Sequence, residues 1–148
     1  MAGLMDAQMI SYDKVNQLRQ VRFLKDRTNT MELMQRHAAL LRPRFDVFLQ
    51  ELEQLRTLEI ASWTQPDGGY FIGLYTLPGC AKRTVELCKQ AGLIMTQAGA
   101  TYPYGLDPQD HHIRIAPSYP SLEEVKIAAK VFCTCLKLAA LEKILSSD

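Results

Sequence analysis

In the stretch HHIRIAP, residues 111–117, an arginine stands in the middle of a short apolar run. Period-two alternation sends Ile113 and Ile115 to one face of a strand and His112, Arg114 and Ala116 to the other. A guanidinium does not lose its proton to escape burial, so an arginine held inside a fold needs an anion that fits its fork of donors. Two kinds of partner would serve. One is a carboxylate of the chain itself, with Asp107, Asp110 or a helix glutamate as candidates. The other is the carboxylate of a ligand, which the fork takes in bidentate fashion.

Other chemistry-bearing residues are weaker. His111 and His112, adjacent on a strand, are expected to face opposite sides and make a poor metal pair without a third ligand, so no metal site is expected. His37 falls on a helix and reads as a half-exposed flank of the core. The serine and lysine of SYDK, Ser11 and Lys14, match a four-residue pattern of some nucleophilic enzymes, but its companion motifs are absent. PGCAKRT lacks the glycine-lysine spacing of a phosphate loop. Cys133 and Cys135 lie two apart in a helical pattern, about 200° around the axis, so they do not converge on one metal. Cys88 sits on an apolar stripe, and reduced, packed thiols are the expectation. Cys80, in a Pro-Gly loop, is the one thiol to test for reactivity.

The chain has 148 residues, 47% of them apolar, enough for one domain with a real core. A net charge of +1 with interspersed signs leaves no basic stripe, so neither nucleic acid nor an anionic membrane is an expected partner. Apolar runs are far short of the ~20 residues a membrane span needs, and no secretory leader is evident. A cytoplasmic protein is the resulting expectation.

These residues must be placed by a small set of elements. Helical spacing without a clear cap runs to about Arg27. A helix is predicted over about 30–55, with Met34, Ala38, Leu41, Phe45, Phe48, Leu52 and Leu55 on one stripe and a kink from Pro43. LEIASW (58–63) and GYFIGLY (69–75) read as a hairpin closed by TQPDGG. A short helix through Cys88 ends at Gly92 in a left-handed cap. LIMT (93–96) reads as a strand, 97–110 as a long loop, and 111–117 as the arginine strand. Ser121 and Glu124 form a capping box for a last helix to about Ile144. The order helix, strand, strand, helix, strand, strand, helix gives an α/β (α+β) two-layer sandwich, its sheet mixed but mostly antiparallel, with helices packed on one face.

Three separated stretches share one resemblance. WTQPDGGYFIGLY resembles the strand-turn-strand signature in the C-terminal domain of fold-type I pyridoxal-phosphate aminotransferases. GLIMTQAGATYPYG resembles their next strand and active-site loop, and IRIAPSYPSLEEV the strand that carries their substrate-binding arginine and the last helix. DKVNQLRQVRFLKD and HAALLRPRFDVFLQEL extend the likeness to the aspartate aminotransferase, MocR-like group. It covers residues 10–143, with Gln97 standing where the family has proline and Gln20 where members have histidine.

The resemblance implies that Arg114 pairs with the α-carboxylate of an amino-acid substrate, and that Gly99, Thr101, Tyr102 and Tyr104 belong to an active-site loop. It also implies that pyridoxal phosphate, with its covalent lysine, pyridine-facing aspartate and phosphate cradle, belongs to a larger preceding domain. Lys14 is not that lysine, since VNQLR after it matches the segment following that domain. On this reading residues 1–27 connect and 28–148 form the small domain. No catalytic residue is expected in this chain, which by itself should be inactive, and the full-length enzyme would be a homodimer using acidic amino acids and 2-oxo acids. Two other readings stay open: an effector-binding module of an aminotransferase-like transcription regulator, and a stand-alone small binding domain.

Overall fold

The computed structural model describes residues 12–146. The chain divides into two compact units, Met1–Ala38 and Ala39–Asp148. Among the described residues no helix is long and apolar enough to cross a membrane.

In the first unit α1 spans Lys14–Leu24, and α2 begins at Arg27. Both starts are capped, the first contrary to the sequence expectation. Asp13 accepts the N–H of Asn16 at 2.9 Å, and Asp26 that of Asn29 at 2.8 Å, each satisfying a donor that the first helical turn leaves over. Asn29 also donates to the Phe23 and Leu24 carbonyls, closing the end of α1. Nothing on α1 is buried, and Val15, Leu18, Val21 and Phe23 are exposed. Lys14 is exposed at the start of α1, and Ser11 lies outside the described residues.

Helix α2 runs to Leu52, with Pro43 in its interior. Only the C-terminal half of its predicted stripe is buried: Phe45, Phe48 and Leu52 are inside, while Met34 and Ala38 are exposed. His37 is likewise exposed rather than a core flank. The helix tightens into a 3₁₀ turn over Glu53–Leu58 that buries Leu55.

The second unit holds a three-stranded sheet in the order β1 (Ala61–Trp63), β2 (Ile72–Thr76), β3 (His112–Ile115). Both pairings are antiparallel, with Trp63 opposite Leu74 and Gly73 opposite Arg114. The predicted hairpin is there, shortened at both strands. The predicted fourth strand is not. Residues 93–96 form no ladder, so the sheet among the described residues is purely antiparallel rather than mixed. Instead Leu93, Ile94, Met95 and Thr96 line a cleft together with Arg114 and Ile115 of β3 and Ala116 just after it.

Helices α3 (Ala81–Gln90) and α4 (Leu122–Leu145) complete the unit. Gly92, at φ +87°, ends α3 as expected: its N–H reaches the Lys89 carbonyl at 3.1 Å and that of Leu93 reaches Cys88 at 2.8 Å, the paired bonds of a Schellman cap. Ser121 and Glu124 form the predicted capping box of α4. Burial alternates along β2 and β3, so Ile72, Leu74, Ile113 and Ile115 meet Phe48 and Leu52 of α2, Cys88 of α3 and Val125, Phe132 and Leu136 of α4 in one core. Each such side chain, fully buried, contributes about 1.5–3 kcal/mol. All helices of the unit thus cover one face, giving the two-layer α/β sandwich. Trp63 sits at the margin of this core, with the Arg56 guanidinium 5.1 Å above its ring and its Nε1 buried without an acceptor.

Candidate functional site

The uncovered face of the sheet carries Phe71, Gly73 and Tyr75 from β2 and its approach, and His112 and Arg114 from β3. Strand alternation puts them there, because their neighbours are the core residues. Gly73 lies opposite Arg114, and a Cβ there would meet His112 Nε2 at 3.4 Å and the Thr64 methyl at 3.6 Å. The Arg114 guanidinium lies 4.6 Å from the centroid of the exposed Phe71 ring, in cation–π geometry.

Arg114 pairs with no carboxylate among the described residues, and its Nε is buried without a hydrogen-bond partner. The internal partners considered from sequence are engaged elsewhere. Asp110 accepts the N–H of Lys82 at 3.1 Å, at the start of α3. Asp107 accepts from the backbone of Gln109, His111 and His112 and from the His111 ring. A buried guanidinium donor without an acceptor costs free energy, so the site favours an anion brought from outside. The adjoining cleft, about 180 Å³, is lined by Arg114, Phe48, Met95, Pro117, Pro120 and mostly apolar neighbours.

The remaining predicted loop residues divide. Gly99 is buried at φ +80°, and a Cβ there would lie 2.6 Å from the Gly105 carbonyl oxygen, so the loop closes on itself in a way only glycine permits. Thr101 joins β3: its Oγ1 lies 2.7 Å from His112 Nδ1. Tyr102 packs edge-on to the same ring at 6.1 Å. Tyr104 does not join them. It is 98% exposed in a left-handed turn.

Asp107 and Tyr75 organise this face, a role not foreseen from sequence, although Asp107 opens an Asp-Pro turn of the kind that bonds its own backbone two residues on. Both histidine rings contact Tyr75, His111 at 5.3 Å and His112 at 4.8 Å, so the expectation that they diverge is corrected. His111 precedes the strand and does not follow its alternation. Burial pushes the His112 pKa down, the Asp107 charge opposes, and His111 and Arg114 add to the fall, which keeps the ring neutral near pH 7. Arg44 is a second unforeseen contributor. Its Nε donates to the Pro120 carbonyl at 2.8 Å and its Nη1 to that of Leu40, tying the Pro-rich wall of the cleft to α2.

Cys80 is not a reactive loop thiol. It is buried, its pKa is raised by that burial, and its Sγ faces the Ala139 carbonyl. Cys133 and Cys135 do diverge: Cys133 Sγ faces the Glu51 carbonyl, while Cys135 meets Cys88.

The cleft lining includes no lysine and no carboxylate, so it does not fit the attachment of pyridoxal phosphate, whereas the Arg114 fork does fit a carboxylate.

Comparison with known proteins places these features in a lineage. The family model for aspartate amino-transferase matches residues 2–148. A protein of Mycolicibacterium smegmatis named as an aminotransferase is 50% identical over 137 residues, covering 92% of this chain and 32% of its own length. The crystal structure of an aspartate transaminase from Corynebacterium glutamicum superposes with a TM-score of 0.87 at 42% identity, over 95% of this chain and 34% of that one. An α-aminoadipate aminotransferase from Thermus thermophilus, solved with N-(5′-phosphopyridoxyl)-L-leucine, shares the fold at 16% identity and a TM-score of 0.70, over 90% of this chain and 33% of that one. The chain spans about a third of the length of the curated relatives it matches, 32% and 31% for two of them. With the matched model running over all but its first residue, the chain belongs to the aspartate aminotransferase family.

Proposed function

We propose that this chain is the substrate-carboxylate-binding part of a larger pyridoxal-phosphate-dependent aminotransferase of the MocR-like group. The whole enzyme passes an amino group between an amino acid, aspartate or another acidic one, and a 2-oxo acid. The observation that carries this reading is the buried, partnerless Nε of Arg114 beside an apolar cleft. A substrate carboxylate there gains a bidentate ion pair, and the guanidinium gains the acceptor it lacks.

Within this reading Arg114 binds and orients the substrate, Phe71 holds the guanidinium plane, and Gly99, Thr101 and Tyr102 shape the loop that shields the site from water. Tyr104, though fully exposed, belongs to the same loop. Pyridoxal phosphate, when bound, supplies the electron sink of amino transfer, and it belongs with the larger domain. Residues 1–27 act as the connecting segment and 28–148 as the small domain, which alone has no activity. The full-length protein works as a homodimer in the cytoplasm, where a reducing environment suits four buried free thiols.

The test is amino transfer from aspartate to 2-oxoglutarate by the full-length protein, with Arg114→Ala beside the wild type and cofactor absorbance as a check of loading. The variant is expected to keep the cofactor and lose about 100-fold in kcat/KM, roughly 3 kcal/mol for a charge-assisted bidentate contact. Unchanged kinetics would overturn the assignment of Arg114, and a full-length protein that loads cofactor without turnover would overturn the enzyme reading. Alanine used as well as aspartate would overturn the acidic preference.

A further inference from the structure

The loop of residues 97–106 is built as a preformed unit and then docked. Its inner bonds are short-range: Ala100 to Gln97, Tyr102 to Gly99, Gly105 to Tyr102 and Leu106 to Pro103, with Gly99 pressed against Gly105. Side-chain docking to β3 centres on one residue. His112 meets Thr101 Oγ1 at 2.7 Å through Nδ1, lies tilted against Tyr75 at 4.8 Å, and makes an edge contact with Tyr102 at 6.1 Å. Its own backbone is fixed by Asp107 Oδ2 at 2.8 Å.

Two facts relate this clamp to the carboxylate site. His112 and Arg114 are two residues apart on one strand and share its open face. Thr96, immediately before the loop, lines the same cleft as Arg114. The loop therefore leaves the wall of the Arg114 cleft at one end and is fastened next to Arg114 by His112.

We propose that His112 is a positioning residue of the amino-transfer reaction, which by its hydrogen bond to Thr101 and its ring contact with Tyr102 fixes the 97–106 loop beside Arg114 and so sets how tightly a substrate carboxylate is held. This rests on the assignment of Arg114 above. His112 acts through the loop and does not itself touch the substrate.

The experiment is steady-state kinetics of the full-length holoenzyme for His112→Ala, Thr101→Val, the double variant and His112→Asn, whose amide reproduces the Nδ1 position. Each single variant is expected to raise KM for both the amino acid and the 2-oxo acid about five- to tenfold, the weight of one hydrogen bond, with kcat changed less than KM. The double variant is expected to be no worse than the worse single one, and His112→Asn to recover most of the loss. Additive effects in the double variant overturn the proposal. So does a loss that falls on kcat and thermal stability alone and that asparagine does not restore. Arg114→Ala, run alongside, separates the two layers. If it leaves KM unchanged, the carboxylate assignment fails. If it raises KM while His112 and Thr101 act additively, only the positioning role fails.

Discussion

A single oxygen of Asp107, Oδ2, accepts the backbone N–H of His112 at 2.8 Å and that of its neighbour His111 at the same distance. Burial pushes the carboxyl pKa up, but the N–H groups of His112, His111 and Gln109 and the His111 ring outweigh it and bring it down to about 2. A folded-state value below the ordinary 3.8 gives stability that is fully present above 3.8 and lost as pH falls through about 2. At neutral pH Asp107→Asn, with one acceptor oxygen in place of two, is expected to lower stability by about 1–3 kcal/mol in urea unfolding. The gap to wild type should narrow across that acid window, and a gap that stays constant with pH would contradict this account.

Gly99→Ala is expected to open the loop rather than the core. The new Cβ would meet the Gly105 oxygen at 2.6 Å from a backbone at φ +80°, a conflict of about 1–3 kcal/mol. Limited proteolysis should find a new cleavage within residues 97–106, with the rest of the chain as resistant as before. Unchanged resistance there would show that the loop has slack.

Arg83 of α3 holds Glu142 of α4 by two bonds, 2.7 Å from Nε and 2.9 Å from Nη2. Both side chains are about two-fifths exposed, 38% and 42%, so solvent screens the pair. Arg83→Ala is therefore expected to lower the melting temperature only slightly, and by less still as salt is added. A thermal-shift series in rising sodium chloride checks both statements, and a loss indifferent to salt would assign the effect to packing.

The four thiols should be silent in the folded protein. Burial pushes Cys88 and Cys133 up to about 12 and raises Cys80, and Cys135 is buried as well. Since the thiolate is the reactive form, maleimide labelling at slightly alkaline pH should stay at background until urea exposes all four. Labelling of Cys80 in the native protein would reverse its reading as a packed residue.

Helix α4 and its capping box could be read directly from local signals, since Ser121 and Glu124 sit three apart and Val125, Ala129, Phe132 and Leu136 keep helical spacing. The hairpin was equally local, its two alternating runs flanking a Pro-Gly turn. The failure at 93–96 has a different origin. A short apolar run becomes a strand only if an edge accepts it, and here the β3 edge borders a cleft, leaving Ile94 86% exposed. The buried part of α2 depended in the same way on what lay opposite: Phe45 and Phe48 found the sheet and α4, while Met34 shows the same spacing and lies exposed. At the site, the type and face of Arg114 were legible. Its partnerless state was not, because that depended on Asp107 and Asp110 being claimed by backbone donors, which only the folded chain brings to them.

The chain has one tryptophan, and that indole stands where β1 meets the core margin with its N–H shut away from any acceptor. Its light emission should accordingly lie to the blue of an indole in water and shift red when the hairpin comes apart. The Arg56 cation over the ring adds a second optical signature. Because β1 pairs with β2 and β2 with β3, the protein holds an intrinsic probe two strands away from Arg114. Separation of the strands can thus be followed without attaching a dye.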